Sequence, residues 1–305
     1  MLYIFAICEL PTGETLVLDF YHHRVKLLDK KYQFVSNCVL SSYSYDMCLI
    51  SSSEVAVTTN ESSSDDGLHG LHIISVRNDR LEKGRKLQLS HKCVGIAHHE
   101  DALYVTFGTA LYQYTLNGNL VKELYEDTTG YNTVYSCAVN LKSDKIYVTS
   151  LHKHSLLTLD KDGNAISTFT DIDLKGPQGV HVTPSGQVLV CGETTHTIIQ
   201  VDSDGKKKLA TLATKKDGIN GPRERMEKWP IAKSTLDLLE KCGEHSDETK
   251  NCSVRTIANC VVLFAWYNFT GKLNETNLIV KDNGKVVLPF DDLTRTTIVK
   301  LRYDY

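Results

Sequence analysis

The chain has 305 residues, of which 41% are hydrophobic and 23% are charged. This apolar fraction is enough to bury a core, which excludes wholesale disorder, and the length fits one large domain or two smaller ones. A formal net charge of −3 argues against a general affinity for nucleic acid, so any basic patch must be local. No apolar run approaches the roughly 18 residues that a membrane span needs, and we expect no membrane partner.

The N-terminal residues and the cysteines point to an intracellular protein. Met1–Cys8 has neither a basic n-region nor a small-residue cleavage site, and it runs into a turn at Pro11–Gly13. An ordinary β-strand therefore fits these residues better than a signal peptide. The nine cysteines form no CxxC pair, which is typical of reduced thiols rather than of disulfides or a zinc site. We therefore expect a cytoplasmic location.

A short β-rich segment recurs five times along the chain. The copies are Glu14–Asp19, Glu54–Thr59, Ala102–Phe107, Lys145–Ser150 and Gln187–Gly192, and successive copies begin 40 to 48 residues apart. Self-similarity with a period in this range is typical of repeat folds, which include β-propellers. The variation in spacing falls in loops, such as the Ser/Asp/Gly-rich insertion at 61–70.

The last copy can be assigned strand by strand. Its expected strands are Gly179–Thr183, Gln187–Cys191, Thr197–Asp202 and Lys206–Ala213. Hairpin turns at Pro184–Gly186 and Ser203–Gly205 connect β-branched runs, and Asp162–Gly163 repeats the second turn 42 residues earlier. Four antiparallel strands in about 40–45 residues form one propeller blade. We therefore predict an all-β propeller for residues 1–222, with about five four-stranded blades.

Three histidines occupy the same place in the repeat. His23, His154 and His196 each lie nine residues after the start of a recurring segment, at the end of the connection between its second and third strands. The simpler interpretation is a histidine whose ring bonds the loop backbone. The alternative is an exposed face on which these loops contact a partner.

Several of these segments resemble NHL repeats. His23–Asp29 reads His-Arg-Val-Lys-Leu-Leu-Asp and, preceded by Leu16–Asp19, is similar to the Asn-His-Arg-Val core of such a repeat. Gly176–Val180 and Gly218–Pro222 resemble the segments that open NHL blades. Residues 1–222 as a whole resemble the C-terminal propeller of tripartite-motif proteins, of the divergent type expanded in molluscs.

The resemblance implies an NHL-like ring with a recognition role. Such propellers usually have six blades, so this ring has five blades or is a six-bladed ring that lacks one. The relatives serve as substrate-recognition domains of ubiquitin ligases, which implies a protein partner and a place in the ubiquitin pathway. No RING, B-box or coiled-coil pattern occurs in this sequence. We therefore expect no enzymatic activity from this chain alone.

Residues 223–305 leave the repeat pattern and form a C-terminal tail of unknown family. Glu224–Lys241 has the spacing of an amphipathic helix, and Leu278–Leu288 has the pattern of a hairpin with its turn at Asn283-Gly284. Thr296–Tyr303 adds a strand. We therefore expect an α/β tail that completes or caps the propeller.

Binding of a protein is the first functional hypothesis, and binding of RNA is the main alternative. Basic and aromatic residues collect in the connections at one end of the blades. These candidate binding residues are Arg24, Tyr131, Lys153, Lys175, Lys215 and Lys216. The lysines could hold phosphates while Tyr131 stacks on a base, although lysines are equally typical of a solvated rim. We expect no DNA partner for this mildly acidic chain.

A metal-dependent propeller hydrolase or lyase is the third hypothesis. Such a site would need carboxylates that converge from the inner strands of several blades. The expected inner strands supply cysteine, histidine and apolar residues instead. No catalytic or metal-binding motif with a known spacing occurs in the sequence. We therefore expect neither a cofactor nor a metal.

Overall fold

The computed structural model describes residues 4–31, 33–61, 68–140, 142, 144–183 and 186–217, together with three short strands between residues 279 and 300. Its first twenty strands form five separate four-stranded antiparallel sheets. These sheets are the blades of a β-propeller, which confirms the predicted fold class. The described part of the chain contains one turn of 3-10 helix, Lys215–Asp217, and no α-helix. Nothing in that part is a helix long and apolar enough to cross a membrane.

Each blade is an antiparallel meander whose four strands, A to D, follow chain order. Blade 1 comprises β1 (Ile4–Glu9), β2 (Thr15–Asp19), β3 (Arg24–Leu28) and β4 (Phe34–Val39). Blade 2 comprises β5 (Met47–Ser51), β6 (Glu54–Asn60), β7 (His69–Arg77) and β8 (Arg80–Leu89). Blade 3 comprises β9 (Ile96–His99), β10 (Ala102–Phe107), β11 (Ala110–Thr115) and β12 (Leu120–Glu126).

The remaining strands complete two further blades and one smaller sheet. Blade 4 comprises β13 (Ser136–Val139), β14 (Lys145–Ser150), β15 (Ser155–Asp160) and β16 (Ala165–Thr170). Blade 5 comprises β17 (Pro177–Val182), β18 (Val188–Gly192), β19 (Thr197–Val201) and β20 (Lys208–Ala213). A three-stranded sheet of β21 (Ile279–Lys281), β22 (Lys285–Val287) and β23 (Val299–Lys300) lies in the C-terminal tail.

The five recurring segments of the sequence are the B strands of the five blades, so the 40-to-48-residue period is the length of one blade. The predicted turns at Asp162–Gly163 and Ser203–Gly205 join strands C and D. In the tail, β21 and β22 pair antiparallel within the predicted hairpin Leu278–Leu288. The predicted helix Glu224–Lys241 lies outside the described residues, as does the predicted domain boundary at residue 222.

In the described residues, the hydrophobic core has four layers, one between each pair of consecutive blades, and a smaller cluster on blade 5. Successive residues of a B strand face opposite neighbours, because side chains alternate across a sheet. In blade 4, Ile146 and Val148 contact blade 3, whereas Tyr147 contacts blade 5. All three side chains are buried. The B strands are therefore continuously apolar, which is why they were the clearest signal in the sequence.

A recurrent threonine at the end of strand B ties consecutive blades together. The hydroxyl of Thr106 accepts a hydrogen bond from Gly95 N–H of its own blade at 2.8 Å, and donates one to the Tyr135 carbonyl at 2.6 Å. The Thr149 hydroxyl lies 3.3 Å from the Gln178 carbonyl of blade 5 in the same way. Because these groups are largely buried, the bonds satisfy backbone atoms that water does not reach.

Candidate functional site

The connections that carry the predicted binding residues lie at one end of the blades, which we call the upper face. It comprises the B–C connections within blades and the D–A connections between consecutive blades. Around blade 5 the two kinds are hydrogen-bonded to each other. Lys175 N–H donates to Thr195 Oγ1 at 3.3 Å, and Thr194 N–H donates to the Lys175 carbonyl at 3.0 Å. The fold therefore brings connections from separate parts of the sequence into one surface.

The predicted binding residues have different environments on this face. Arg24 is the first residue of β3 rather than part of a connection, and its Nε lies 3.4 Å from the His22 carbonyl. Lys175 is exposed in the D–A connection before blade 5. Lys215 and Lys216 are exposed in the 3-10 turn that follows blade 5.

Tyr131 and Lys153 lie at the junction of blades 3 and 4. The Tyr131 side chain is 70% exposed, and its ring centroid is 4.7 Å from that of His152. Lys153 Nζ lies 2.5 Å from Asp127 Oδ2, which belongs to the preceding D–A connection. Burial of this carboxyl favours a higher pKa, but hydrogen bonds from Lys153 and Thr129 outweigh it and lower the pKa of Asp127. Lys153 therefore braces two connections instead of carrying an unpaired charge.

A second lysine braces the D–A connection before blade 5. Lys208 Nζ lies 2.8 Å from both Asp171 Oδ1 and Asp173 Oδ2. Hydrogen bonds to these two carboxylates raise the pKa of Lys208. Between the two carboxylates, Ile172 projects outward and is 82% exposed. The braced loop thus presents a large apolar side chain to solvent at a fixed place.

The recurrent histidines all have left-handed backbone conformations. The φ angles of His23, His154 and His196 are 46°, 52° and 56°. Histidine is among the residues enriched there when glycine is absent. His154 Nδ1 accepts a hydrogen bond from Gly176 N–H at 3.1 Å, and the His23 ring lies edge-on to Tyr43 at 5.0 Å. In both cases the ring reaches the connection that leads to the next blade.

An aromatic cluster, formed by Phe5, Phe20, Tyr21, Tyr43 and Tyr45, lies at the junction of blades 1 and 2. The Phe20 ring is central, with centroid distances of 4.4 Å to Phe5, 5.5 Å to Tyr45 and 5.9 Å to Tyr43. Tyr21 and Tyr43 are exposed, whereas burial raises the pKa of Tyr45. This cluster was not predicted from the sequence, although the closely spaced aromatic residues Phe20-Tyr21 and Tyr43-Ser-Tyr45 indicate it.

Exposed apolar side chains follow a simple distribution over the described residues. Six of them lie on the outermost D strands, namely Phe34, Val39, Leu120, Val121, Ile166 and Leu209. The other five lie in connections of the upper face, namely Tyr21, Tyr43, Leu68, Tyr131 and Ile172. The opposite, lower face carries none in its described connections. The upper face is therefore the more apolar end of the described propeller.

A cleft of about 440 Å³ lies on the lower face between blades 3 and 4. It is lined mostly by polar side chains of two turns, including His99, Glu100, Lys161 and Asp162. Ligand pockets are lined predominantly by apolar and aromatic groups, so this cleft is a weaker candidate than the upper face. No group of three His, Cys, Asp or Glu residues in the described ranges is arranged to hold a metal ion.

The six cysteines that the structure describes form no disulfide bond. Burial raises the pKa of Cys8 and of Cys93 to about 12. Burial likewise raises the pKa of Cys48 and of Cys137. A thiol with such a pKa is protonated at neutral pH, and the thiolate is the nucleophilic form. These four side chains therefore act as small apolar groups near the inner strands.

The ion pair between Lys153 and Asp127 predicts a pH-dependent contribution to stability. Lys153→Met keeps most of the stem and removes the charge, and we expect it to lower the free energy of unfolding at pH 7 by about 0.5–1 kcal/mol. Because the pKa of Asp127 is lowered, this contribution is present above its ordinary pKa and is lost as pH falls through the folded-state value. Urea denaturation at pH 7 and at pH 3 measures the difference.

Lys216→Met is the matched control for this ion pair, because Lys216 is an exposed lysine at the end of blade 5. We expect it to leave the stability unchanged at both pH values. If Lys153→Met changes the free energy of unfolding at pH 7 no more than the control does, the Lys153–Asp127 ion pair does not contribute to stability.

No family model matches the sequence, and no curated protein matches it. Virginiamycin B lyase from Staphylococcus aureus is similar in structure, with a TM-score of 0.52, 12% identity and coverage of 68% of this chain and 69% of the lyase chain. A chain from a nidogen/laminin complex gives a TM-score of 0.56 at 13% identity, over 70% of this chain and 81% of that one. A protein of unknown function from Bacteroides caccae gives a TM-score of 0.54 at 15% identity, over 72% and 85%. At these identities the likeness shows the β-propeller fold alone.

Proposed function

We propose that this chain is a non-catalytic interaction module that binds a protein partner through the upper face. The observation that carries the proposal is the distribution of exposed apolar side chains, which outside the D strands lie only on this face in the described residues. Exposed aromatic and aliphatic side chains on a loop surface are typical of protein–protein contact sites. Binding residues also concentrate in loops that a rigid scaffold holds in place.

Tyr131 and Ile172 are the candidate anchors of this surface. They project from consecutive D–A connections, at 70% and 82% exposure. Each connection is braced by a lysine–carboxylate contact, from Lys153 in one case and Lys208 in the other. A braced loop loses little conformational entropy when a partner binds, which favours affinity. Large side chains on such loops are typical binding hot spots.

The same geometry favours a protein over RNA. Phosphate binding needs lysines that are free to replace counterions. Lys153 and Lys208 are already paired with carboxylates, which leaves Lys175, Lys215 and Lys216 as exposed cations among the described upper-face lysines. The experiment must therefore distinguish a protein partner from an RNA partner.

The partner class follows from the resemblance to NHL propellers of tripartite-motif proteins. In that family the propeller recognises substrates for ubiquitin transfer, so we assign this chain to substrate recognition in the ubiquitin pathway, in the cytoplasm. The repeat motif around His23 and the propeller fold support this assignment. One structural neighbour comes from a complex of two proteins, nidogen and laminin, which supports the propeller as a binding scaffold.

The test is an affinity column carrying the full chain, loaded with lysate that has or has not been treated with nuclease. We expect retained proteins to survive nuclease and to be lost from Tyr131→Ala/Ile172→Ala, with at least about 30-fold weaker binding for a purified partner, because hot-spot truncations cost about 2 kcal/mol or more. The matched control is Val39→Ala/Leu120→Ala, which removes similarly exposed apolar side chains from D strands. It should bind like the unmodified chain.

A set of lysine variants separates the two ligand classes. Lys175→Ala/Lys215→Ala/Lys216→Ala should weaken protein binding far less than the loss of the two anchors. If nuclease abolishes retention and the lysine variant loses it, the upper face binds RNA instead. If the anchor variant and the D-strand control bind alike, this face is not the binding site.

A further inference from the structure

One side of blade 1 faces away from blade 2. In blades 2 to 5, the corresponding side packs against the preceding blade. We call this side of blade 1 the closing face, formed by Thr15, Val17, Asp19, Lys26 and Leu28. These side chains alternate with Leu16, Leu18, Val25 and Leu27, which pack against blade 2. Val17 and Leu28 therefore point away from blade 2, because residues paired across β2 and β3 share a side.

A comparison of equivalent positions in blades 1 and 4 indicates which part of the ring the closing face should contact. Val17 and Val148 stand at the same place in their B strands, and the pair Thr15–Leu28 matches the pair Ile146–Leu159. Val148 and Leu159 are buried against the preceding blade 3. Val17 and Leu28 should therefore be buried against a blade that precedes blade 1 in the ring.

These positions are buried, but no described blade covers them. Val17, Leu28 and Asp19 are completely buried. The inner strands pack in the order β1, β5, β9, β13, β17, and among the described strands none of blade 5 packs comparably against blade 1. Because this burial belongs to a single chain, the covering atoms come from another part of the same chain.

Blade 5 presents a second apolar side to the same gap. Leu189 stands at the place of Tyr147, whose ring packs against the following blade. Leu189, Leu212 and Ala213 form a separate buried cluster on the side of blade 5 that faces away from blade 4. The gap between blades 5 and 1 thus has an apolar wall on blade 5. Its other wall, on blade 1, combines the apolar residues Val17 and Leu28 with the buried Asp19–Lys26 ion pair.

We propose that the three-stranded sheet β21–β23 lies between blade 5 and the closing face and completes the ring. The 305-residue chain continues for 88 residues beyond Asp217, which is about two repeat lengths. The sheet is an antiparallel meander in sequence order, as the blades are. A segment tethered to the same chain has a higher effective concentration at the gap than a second copy at low protein concentration, which favours the tethered segment. This inference is independent of the proposed partner-binding function.

The test nicks the full chain after it has folded. A recognition sequence for a specific protease replaces Glu244–Lys250, and the cleaved protein is run on size-exclusion chromatography without denaturant. We expect the C-terminal fragment to co-elute with the propeller in equal amounts. Val17→Thr places a hydroxyl in the closing face at nearly constant volume. We expect it to release the fragment about tenfold faster, because a buried hydroxyl without a hydrogen-bond partner weakens the contact.

Two further variants serve as a surface control and as a test of the opposite wall of the gap. Val39→Thr makes the same chemical change at a 52% exposed position of the same blade and should leave the fragment bound. Leu189→Asn probes the opposite wall and should release the fragment, even if Val17→Thr fails to fold. The proposal is overturned if the fragment separates from the unmodified nicked chain, or if both wall variants retain it as the control does. A dimer whose dissociation releases the fragment would assign the gap to a second copy instead.

Discussion

Asp19→Ala is expected to lower the free energy of unfolding by about 3–5 kcal/mol, as is typical when one member of a buried ion pair is removed. The Asp19 side chain has no exposure, and its Oδ2 lies 3.0 Å from Nζ of Lys26, which is 11% exposed. His22 Nδ1 lies 2.9 Å from the same oxygen. Without the carboxylate, a buried ammonium loses its counter-charge inside the closing face. Urea denaturation followed by far-ultraviolet circular dichroism measures the loss.

A double variant shows whether the cost comes from the orphaned charge. Asp19→Leu/Lys26→Met replaces both partners with apolar groups, and we expect it to recover most of the stability lost by Asp19→Ala. Glu61→Ala is the surface control, because Glu61 and Lys86 are exposed and 3.8 Å apart. It should cost less than about 1 kcal/mol. Equal losses from Asp19→Ala and Glu61→Ala would show that the buried pair has no special role.

The blade architecture could be predicted because the strongest sequence signal coincides with the most buried element. The B strands of blades 2 to 4 pack against a neighbouring blade on both sides, so their residues are largely apolar and recur once per blade. The upper face was also predictable, since B–C and D–A connections must lie at the same end of an antiparallel meander. The assignment of Tyr131 to a D–A connection and of Lys153 to a B–C connection placed both residues at this end of the blades before any contact was known.

The contacts that decide the function of this face could not be predicted, because they join residues that are far apart in sequence. Lys153 was expected to be available for phosphate, but it pairs with Asp127, 26 residues earlier. Lys26 resembles a surface lysine in an alternating strand, but the structure buries it beside Asp19. Spacing identified His154 as a repeated residue, but its left-handed φ and its bond to Gly176 depend on the tertiary structure.

Gly163→Ala is expected to lower the free energy of unfolding by about 3 kcal/mol or more, because it combines a left-handed backbone with a steric clash. Gly163 has a φ of +96° in the C–D turn of blade 4. A Cβ atom there would lie 1.9 Å from the carbonyl oxygen of Leu124, a backbone atom of β12 in blade 3. Backbone cannot rotate away as a flexible side chain can, so blades 3 and 4 would have to separate locally.

Gly108→Ala separates the steric contribution from the conformational one. Gly108 has a φ of +60°, but a Cβ atom there meets no heavy atom within 4 Å. This substitution should therefore cost only the left-handed penalty of about 1–2 kcal/mol. Urea denaturation of both variants measures the difference, which reports how tightly the C–D turn of one blade rests on the preceding blade. Equal costs at the two positions would mean that blades 3 and 4 can move apart without loss of stability. The recurring Asp-Gly turn would then be a local hairpin feature and not a contact between blades.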